Sequence, residues 1–161
     1  MTTTPFEPKP PHQKLTALAG TWAGTTLTWL DPSAPPSESR VDASVETLLG
    51  GRWIRIAYAS TVMEKPHAGE MTVGFHNDAK AHEMTWIDSF HTGTSIMLST
   101  GAPRDDGAVS VLGSYAAGPQ RWGWRTVIHQ PSSGELVIEA FNIAPSGEEF
   151  PAVTTKLTRR A

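Results

Sequence analysis

Apolar and polar residues alternate with a period of two along most of this chain, in segments of eight to eleven residues separated by turn-forming clusters. That alternation is the signature of half-buried strands, because successive side chains of a strand point to opposite faces. In 41–49 the apolar set is Val41, Ala43, Val45 and Leu49, opposite Asp42, Ser44 and Glu46. In 70–76 it is Met71, Val73 and Phe75, and in 109–115 it is Val109, Val111 and Tyr115. Trp122, Trp124 and Ile128 share a face in 122–128, opposite Arg121, Arg125 and His129. Leu136, Ile138, Ala140 and then Asn142 follow, and the last strand carries Val153, Leu157 and Arg159 on one side.

Nine punctuating clusters, from "DPSAPPSES" through "EKPHAG", "HNDAKA" and "HTG" to "APSGEE", predict about ten strands. One-sided apolarity in strand after strand predicts an all-β fold, a single antiparallel up-and-down β-barrel closed around its own interior. Closure also removes the exposed edges of so long a meander. Only "HQKLTALAG" reads as helical, a short N-terminal turn with Leu15 and Leu18 at helical spacing and Gly20 as its stop. The prolines between Pro5 and Pro11 mark residues 1–11 as an extended arm, leaving 12–161 as one barrel domain. The segment 52–62 mixes apolar and polar groups on both faces, so either Arg55 or Tyr58 can point inward.

Composition narrows the function. Hydrophobic content of 39% with 18% charged residues is that of an ordinary soluble domain. A net charge of -3 without a basic block gives no footprint for nucleic acid. Trp122 and Trp124 between arginines therefore read as inward rings with outward guanidinium groups, bonded to Glu135 or Glu139. Absence of cysteine excludes disulfides, thiolate chemistry and Cys-based zinc sites. No apolar run approaches the roughly 18 residues of a membrane span and the N-terminus lacks a signal-peptide pattern, so the default expectation is a cytoplasmic protein.

The stretch "MTWIDSFHTG" (84–93) is the most site-like. Continued alternation sends Met84, Trp86, Asp88 and Phe90 inward and His91 to the turn or the outside. The inward set pairs the large rings Trp86, Phe90, Tyr115 and Trp124 with small residues such as Thr26, Thr28, Gly113, Thr126 and Ala140. Small barrels either fill with side chains or hold one small ligand. Apolar walls with a few polar groups suit a ligand pocket. The expected ligand-binding set is Arg55, Trp86, Asp88, Phe90, Tyr115, Trp124 and Asn142, with a small apolar molecule as partner. Asp88 has three readings: a lone buried acid or base, a charge paired with Arg55, or a hydrated rim group.

Of the histidines, only His82 falls on an inward face. His76 and His129 fall outside, and His12 and His67 read as loop residues. No metal site and no cofactor are expected, because no pair of histidines has convergent spacing. Nor is a serine nucleophile oriented toward a base. An enzyme using Asp88 or His91 as acid or base on the same scaffold is the alternative function. Exterior strands could carry a homodimer, but nothing in the sequence specifies one.

"LAGTWAGTT" (18–26), a short helical turn followed by Gly20-Thr21-Trp22, resembles the G-x-W opening of lipocalins and the wider calycin group. The resemblance implies a structural plug, with Trp22 closing one end of the barrel and Arg159 packing over its ring. With the "GG" turn, "WIDSFHTG" and the closing Arg, the chain resembles an uncharacterised family of small bacterial calycin-like proteins of unknown function. The likeness implies a lipocalin-like fold and brings no catalytic residue with it. A related ten-stranded barrel family binds haem through a single histidine, which makes a haem barrel using His91 or His129 the second alternative.

Overall fold

Inward-facing Ile54, Ile56, Val73, Val111 and Leu136 are entirely shielded from solvent, and the strands that carry them close into a ring. The computed structural model describes residues 5–161; residues 1–4 of the proline-rich arm lie outside the described residues. Helix α1 (Pro10–Thr16) precedes β1 (Gly20–Thr28), β2 (Ser37–Leu48), β3 (Trp53–Val62), β4 (Lys65–His76) and β5 (Ala81–Asp88). Then come β6 (Met97–Gly101), β7 (Val109–Ala117), β8 (Gln120–Ser132), β9 (Glu135–Ile143) and β10 (Glu149–Arg159). Each strand pairs antiparallel with the next, and β10 returns to β1 from Trp22↔Arg159 to Thr28↔Val153. The expected ten-stranded antiparallel barrel with one short N-terminal helix is therefore the fold. No helix among the described residues is long and apolar enough to cross a membrane.

The ambiguous third strand is resolved by its neighbours. Register pairs Val45 with Ile56 and Ala43 with Tyr58, so Ile54, Ile56 and Tyr58 share the inner face. Arg55 points outward and lies 2.8 Å from Glu46 and 3.6 Å from Glu70, across the two flanking strands. It is not a barrel-lining residue. The mixed pattern arises because the inner face includes a hydroxyl and the outer face includes Trp53 and two alanines.

Segment 64–69 is not a loop. Met63 and Glu64 both have positive φ (49° and 62°), the conformation of a two-residue hairpin turn, and β4 begins at Lys65. His67 is consequently a strand residue on the inner face. His12 is likewise not in a loop: it lies buried in α1, with Nε2 3.2 Å from the Phe75 carbonyl. Leu49 is 74% exposed rather than inward, because β2 ends at Leu48 and the chain turns there with φ 46°.

Helix α1 closes one end. Leu15 and Leu18 are buried beneath it, and the Trp22 indole N–H donates to the Leu18 carbonyl at 2.9 Å. The Arg159 guanidinium lies 4.2 Å over the Trp22 ring and donates to the carbonyls of Ala17, Ala19 and Ser133. Gly20 has φ 140°, which favours glycine, and a Cβ there would also press on the Arg159 guanidinium, 2.6 Å away. The opposite end, where β3, β5 and β7 finish and β4, β8 and β10 begin, carries the polar groups.

Candidate functional site

Strand β5 ends at Asp88, and the side chain of Asp88 shapes the turn beyond it. Its Oδ1 accepts the backbone N–H groups of Phe90 and His91 at 2.8 and 2.7 Å. The Thr92 hydroxyl accepts from the Asp88 amide at 2.8 Å. Aspartate commonly captures amides two or three residues ahead in this way, and the result is a tight reversal. The strand alternation therefore stops at Asp88. The His91 ring swings back over the barrel, with Nδ1 3.2 Å from Oδ1 and its side chain only 14% exposed. Phe90 instead sits at the rim, 42% exposed, with its ring edge against His67 and His91. The expectation of Phe90 inside and His91 outside is thus reversed.

Two further donors reach Asp88 from β3 and β4. The Tyr58 hydroxyl donates to Oδ2 at 2.5 Å, and His67 Nε2 lies 2.7 Å from the same oxygen. The approach of Tyr58 depends on Gly69, where a Cβ would fall 2.2 Å from the phenolic oxygen. The Trp86 indole in turn donates to the Tyr58 oxygen at 2.8 Å. Asp88 thus gathers two imidazoles, a phenol and two amides, and Arg55 has no part in the cluster. A carboxylate offers about four lone-pair sites, so its acceptor capacity is used up.

Burial alone would push the Asp88 carboxyl up, but hydrogen bonds from His67, His91, Tyr58 and the His91 amide outweigh it. They hold it well below the ordinary carboxylate range, as expected for an anion that accepts several donors. Burial, followed by the Asp88 charge and its hydrogen bond, pushes the Tyr58 hydroxyl well above the ordinary tyrosine range. Asp88 is therefore a fixed anion with no spare lone pair, poorly suited to act as a general base or acid. Proton-transfer capacity lies with the imidazoles, each of which faces Asp88 through one nitrogen. The other nitrogen of His67, Nδ1, is buried without a partner.

Beside the cluster lies a narrow slot. Trp86 and Trp124 stack at 5.0 Å with 25° between their planes, and His91 tilts over both at 5.6 and 5.4 Å. The facing wall is built from small residues, Thr26, Val41, Ala43, Ala140 and Thr155, with His67, Tyr58 and Asp88 at the polar end. The empty space is about 580 Å³ including the part open to solvent, and about 50 Å³ of it can take the centre of a water molecule. Tyr115 and Asn142 do not line the slot; the Tyr115 hydroxyl donates to Asn142 at 2.6 Å, and its ring edge backs Trp124 at 6.5 Å.

The remaining expectations are placed just as directly. Arg125 bonds Glu149 on β10, and Arg121 bonds Ser114, rather than Glu135 or Glu139. His129 sits on the outer face 3.6 Å from Glu139, away from the slot. For the haem alternative the slot is too narrow as it stands, and the reversal after Asp88 would have to move outward to admit a porphyrin; His91 Nδ1 is engaged with Asp88. His67 was legible in principle. Extending the Met71 face backwards by twos passes through Gly69 and reaches His67.

Comparison with known proteins gives the chain a family. It belongs to the family described as protein of unknown function DUF1579, whose model matches residues 7–159. This agrees with the sequence resemblance to a family without an assigned activity. No curated protein matches the chain. Among solved structures it is similar to Rv2717c from M. tuberculosis, at 17% identity and a TM-score of 0.62, over 96% of this chain and 100% of that one. It is also similar to the S-type phycobiliprotein lyase CPES from Guillardia theta, at 10% identity and a TM-score of 0.58, over 92% of each chain. At these identities the likeness is one of fold.

Proposed function

Since membership of this family carries no activity with it, we propose a function from the geometry: the open end of the barrel binds a small, flat, largely apolar molecule. Its ring would lie against Trp86 and Trp124, and its polar group would meet the Asp88 cluster. The observation that carries this reading is the buried anion itself, set with two imidazoles at the end of an apolar slot. A buried charge network of this kind is often no better for stability than well-packed apolar residues. Its value is then recognition. That a solved barrel of similar fold is a phycobiliprotein lyase adds that such a scaffold can serve work on another molecule.

The size of the slot sets a condition. A cavity of roughly 150 Å³ takes a benzene ring, whereas the enclosed space here is about 50 Å³. Ring binding therefore requires the reversal after Asp88, residues 89–96, to move outward with His91. Titration of the protein with p-cresol, indole and related single-ring compounds, followed by tryptophan fluorescence, tests the reading. A saturable change that Trp124→Ala removes is expected. No saturable change with any compound of the panel would overturn it.

The enzyme reading transfers from Asp88 to the imidazoles. Its support is the unpartnered Nδ1 of a histidine whose other nitrogen is fixed by an anion, the arrangement that prepares an imidazole for proton transfer. For any substrate found, His67→Gln should abolish turnover and spare binding; retained turnover would rule the role out.

A further inference from the structure

We propose that His67, Asp88 and His91 form a binding site for one divalent transition-metal ion of the zinc or cobalt kind, with its open coordination positions facing the slot. The proposal goes beyond the small-molecule reading and does not need it. One donor atom from each of the three residues lies within 4.8 Å of the other two. Two imidazole nitrogens and a carboxylate oxygen are a donor set that zinc, cobalt, nickel and iron accept. Three protein ligands with a position left for water or substrate are the pattern of reactive rather than structural sites.

The surroundings fit an ion without the outward movement that a ring requires. Side chains of His67 and Asp88 are 9% and 1% exposed, so the donors are already largely desolvated. About 50 Å³ of enclosed space is small for an organic ligand but holds an ion with a few waters. Asp88 and His67 are held by paired strands, with Gly69 and Asp88 in register. His91 sits on the reversal after β5, outside the paired strands. The required movement is modest. Bond lengths of about 2.0–2.2 Å bring the donor atoms to roughly 3–4 Å from one another; His67 lies 2.7 Å from Oδ2 and His91 3.2 Å from Oδ1, so the ion would sit between the imidazoles against either or both carboxylate oxygens.

Proton bookkeeping closes without loss. An imidazole that holds a hydrogen toward Asp88 would give it up and carry it on its other nitrogen, so the ion would replace two hydrogen bonds through a change of tautomer. For His67 that nitrogen is the buried Nδ1, which has no protein partner. A water admitted with the ion would accept its N–H. Tyr58 and the amides of Phe90 and His91 stay on Asp88 and orient it, the part that outer partners play in metal sites.

The test uses the full chain, stripped with a chelator and titrated with Co(II), then with Zn(II) by calorimetry. The expected results are visible d–d bands, one ion per chain, and displacement of cobalt by zinc. His67→Gln and His91→Gln should each weaken binding at least ~10–100-fold, the range seen even for loss of outer partners. His76→Gln and His129→Gln, both away from the slot, should leave it unchanged. Absence of both cobalt bands and zinc heat in the wild-type chain would overturn the proposal without reliance on any variant. So would binding that survives in the His67→Gln/His91→Gln double variant. Repeating the p-cresol titration in chelator separates this outcome from failure of the small-molecule reading.

Discussion

The two ends of the barrel both bury a tryptophan among polar groups, yet they use them differently. At the closed end every polar group around Trp22 is answered by backbone: its indole by Leu18, and the Arg159 guanidinium by Ala17, Ala19 and Ser133. The arrangement locks helix, first strand and last strand together. At the open end side chains answer one another around Asp88, one imidazole nitrogen is left unpaired, and space adjoins the cluster. The network around Trp22 is complete, whereas the one around Asp88 is incomplete and lies beside a slot, which is the basis of the proposed binding site.

The largest loss of stability is expected at the plug. Trp22→Ala should destabilise by about 3–5 kcal/mol, as deletion of a buried aromatic does. Urea unfolding measures it, and binding of p-cresol to the protein that remains folded should be unchanged. At the other end, Asp88→Asn should cost less, about 1–3 kcal/mol, because one oxygen can still accept the two amides. Its effect on binding at the slot should exceed its effect on stability. Tyr58→Phe should be milder still, about 1 kcal/mol, since it removes one hydroxyl that bridges Trp86 and Asp88.

Acid separates the ends along the pH axis. His82 is buried at the closed end, where burial, with His12 and Lys14 nearby, holds its imidazole below the ordinary value of 6.5. A lowered value means that the unfolded chain takes the proton first. The stability His82 contributes is present above about pH 6.5 and declines as pH falls below it. The depressed carboxyl of Asp88 contributes stability that is present above about pH 4 and declines below that. Unfolding free energy measured against pH should therefore fall in two stages. His82→Gln should remove the upper stage and Asp88→Asn should diminish the lower one, to which Asp31 and Asp106 also contribute. A single stage unaffected by either variant would contradict the assignment.

The barrel was legible because its information is periodic. Alternation placed Val41, Ala43, Trp86, Trp124 and Ile138 inside, where the structure buries them, and a period of two cannot slip without exposing a whole face. The site was legible only as far as the alternation ran. It found Trp86, Asp88 and Trp124, then failed at Phe90 and His91, because Asp88 captures two amides and reverses the chain. His67 was missed at another local event, the two-residue turn at Met63 and Glu64 in a stretch whose lysine, proline and glycine resemble a loop. Arg55 was a candidate because neither face of β3 is cleanly apolar; only pairing with Glu46 and Glu70 across the sheet decides it. Turns and cross-strand pairing, which alternation does not encode, built the part of the site that was hidden.

The most direct test compares indole N–H signals of the two ends in one NMR titration with p-cresol. Trp86 and Trp124 should shift together and saturably, the Trp86 signal most, because its N–H bonds Tyr58 in the cluster. Trp22, fixed to the Leu18 carbonyl at the other end, should not move. Shifts confined to Trp22, or none at any indole, would contradict the assignment of the open end as the binding site.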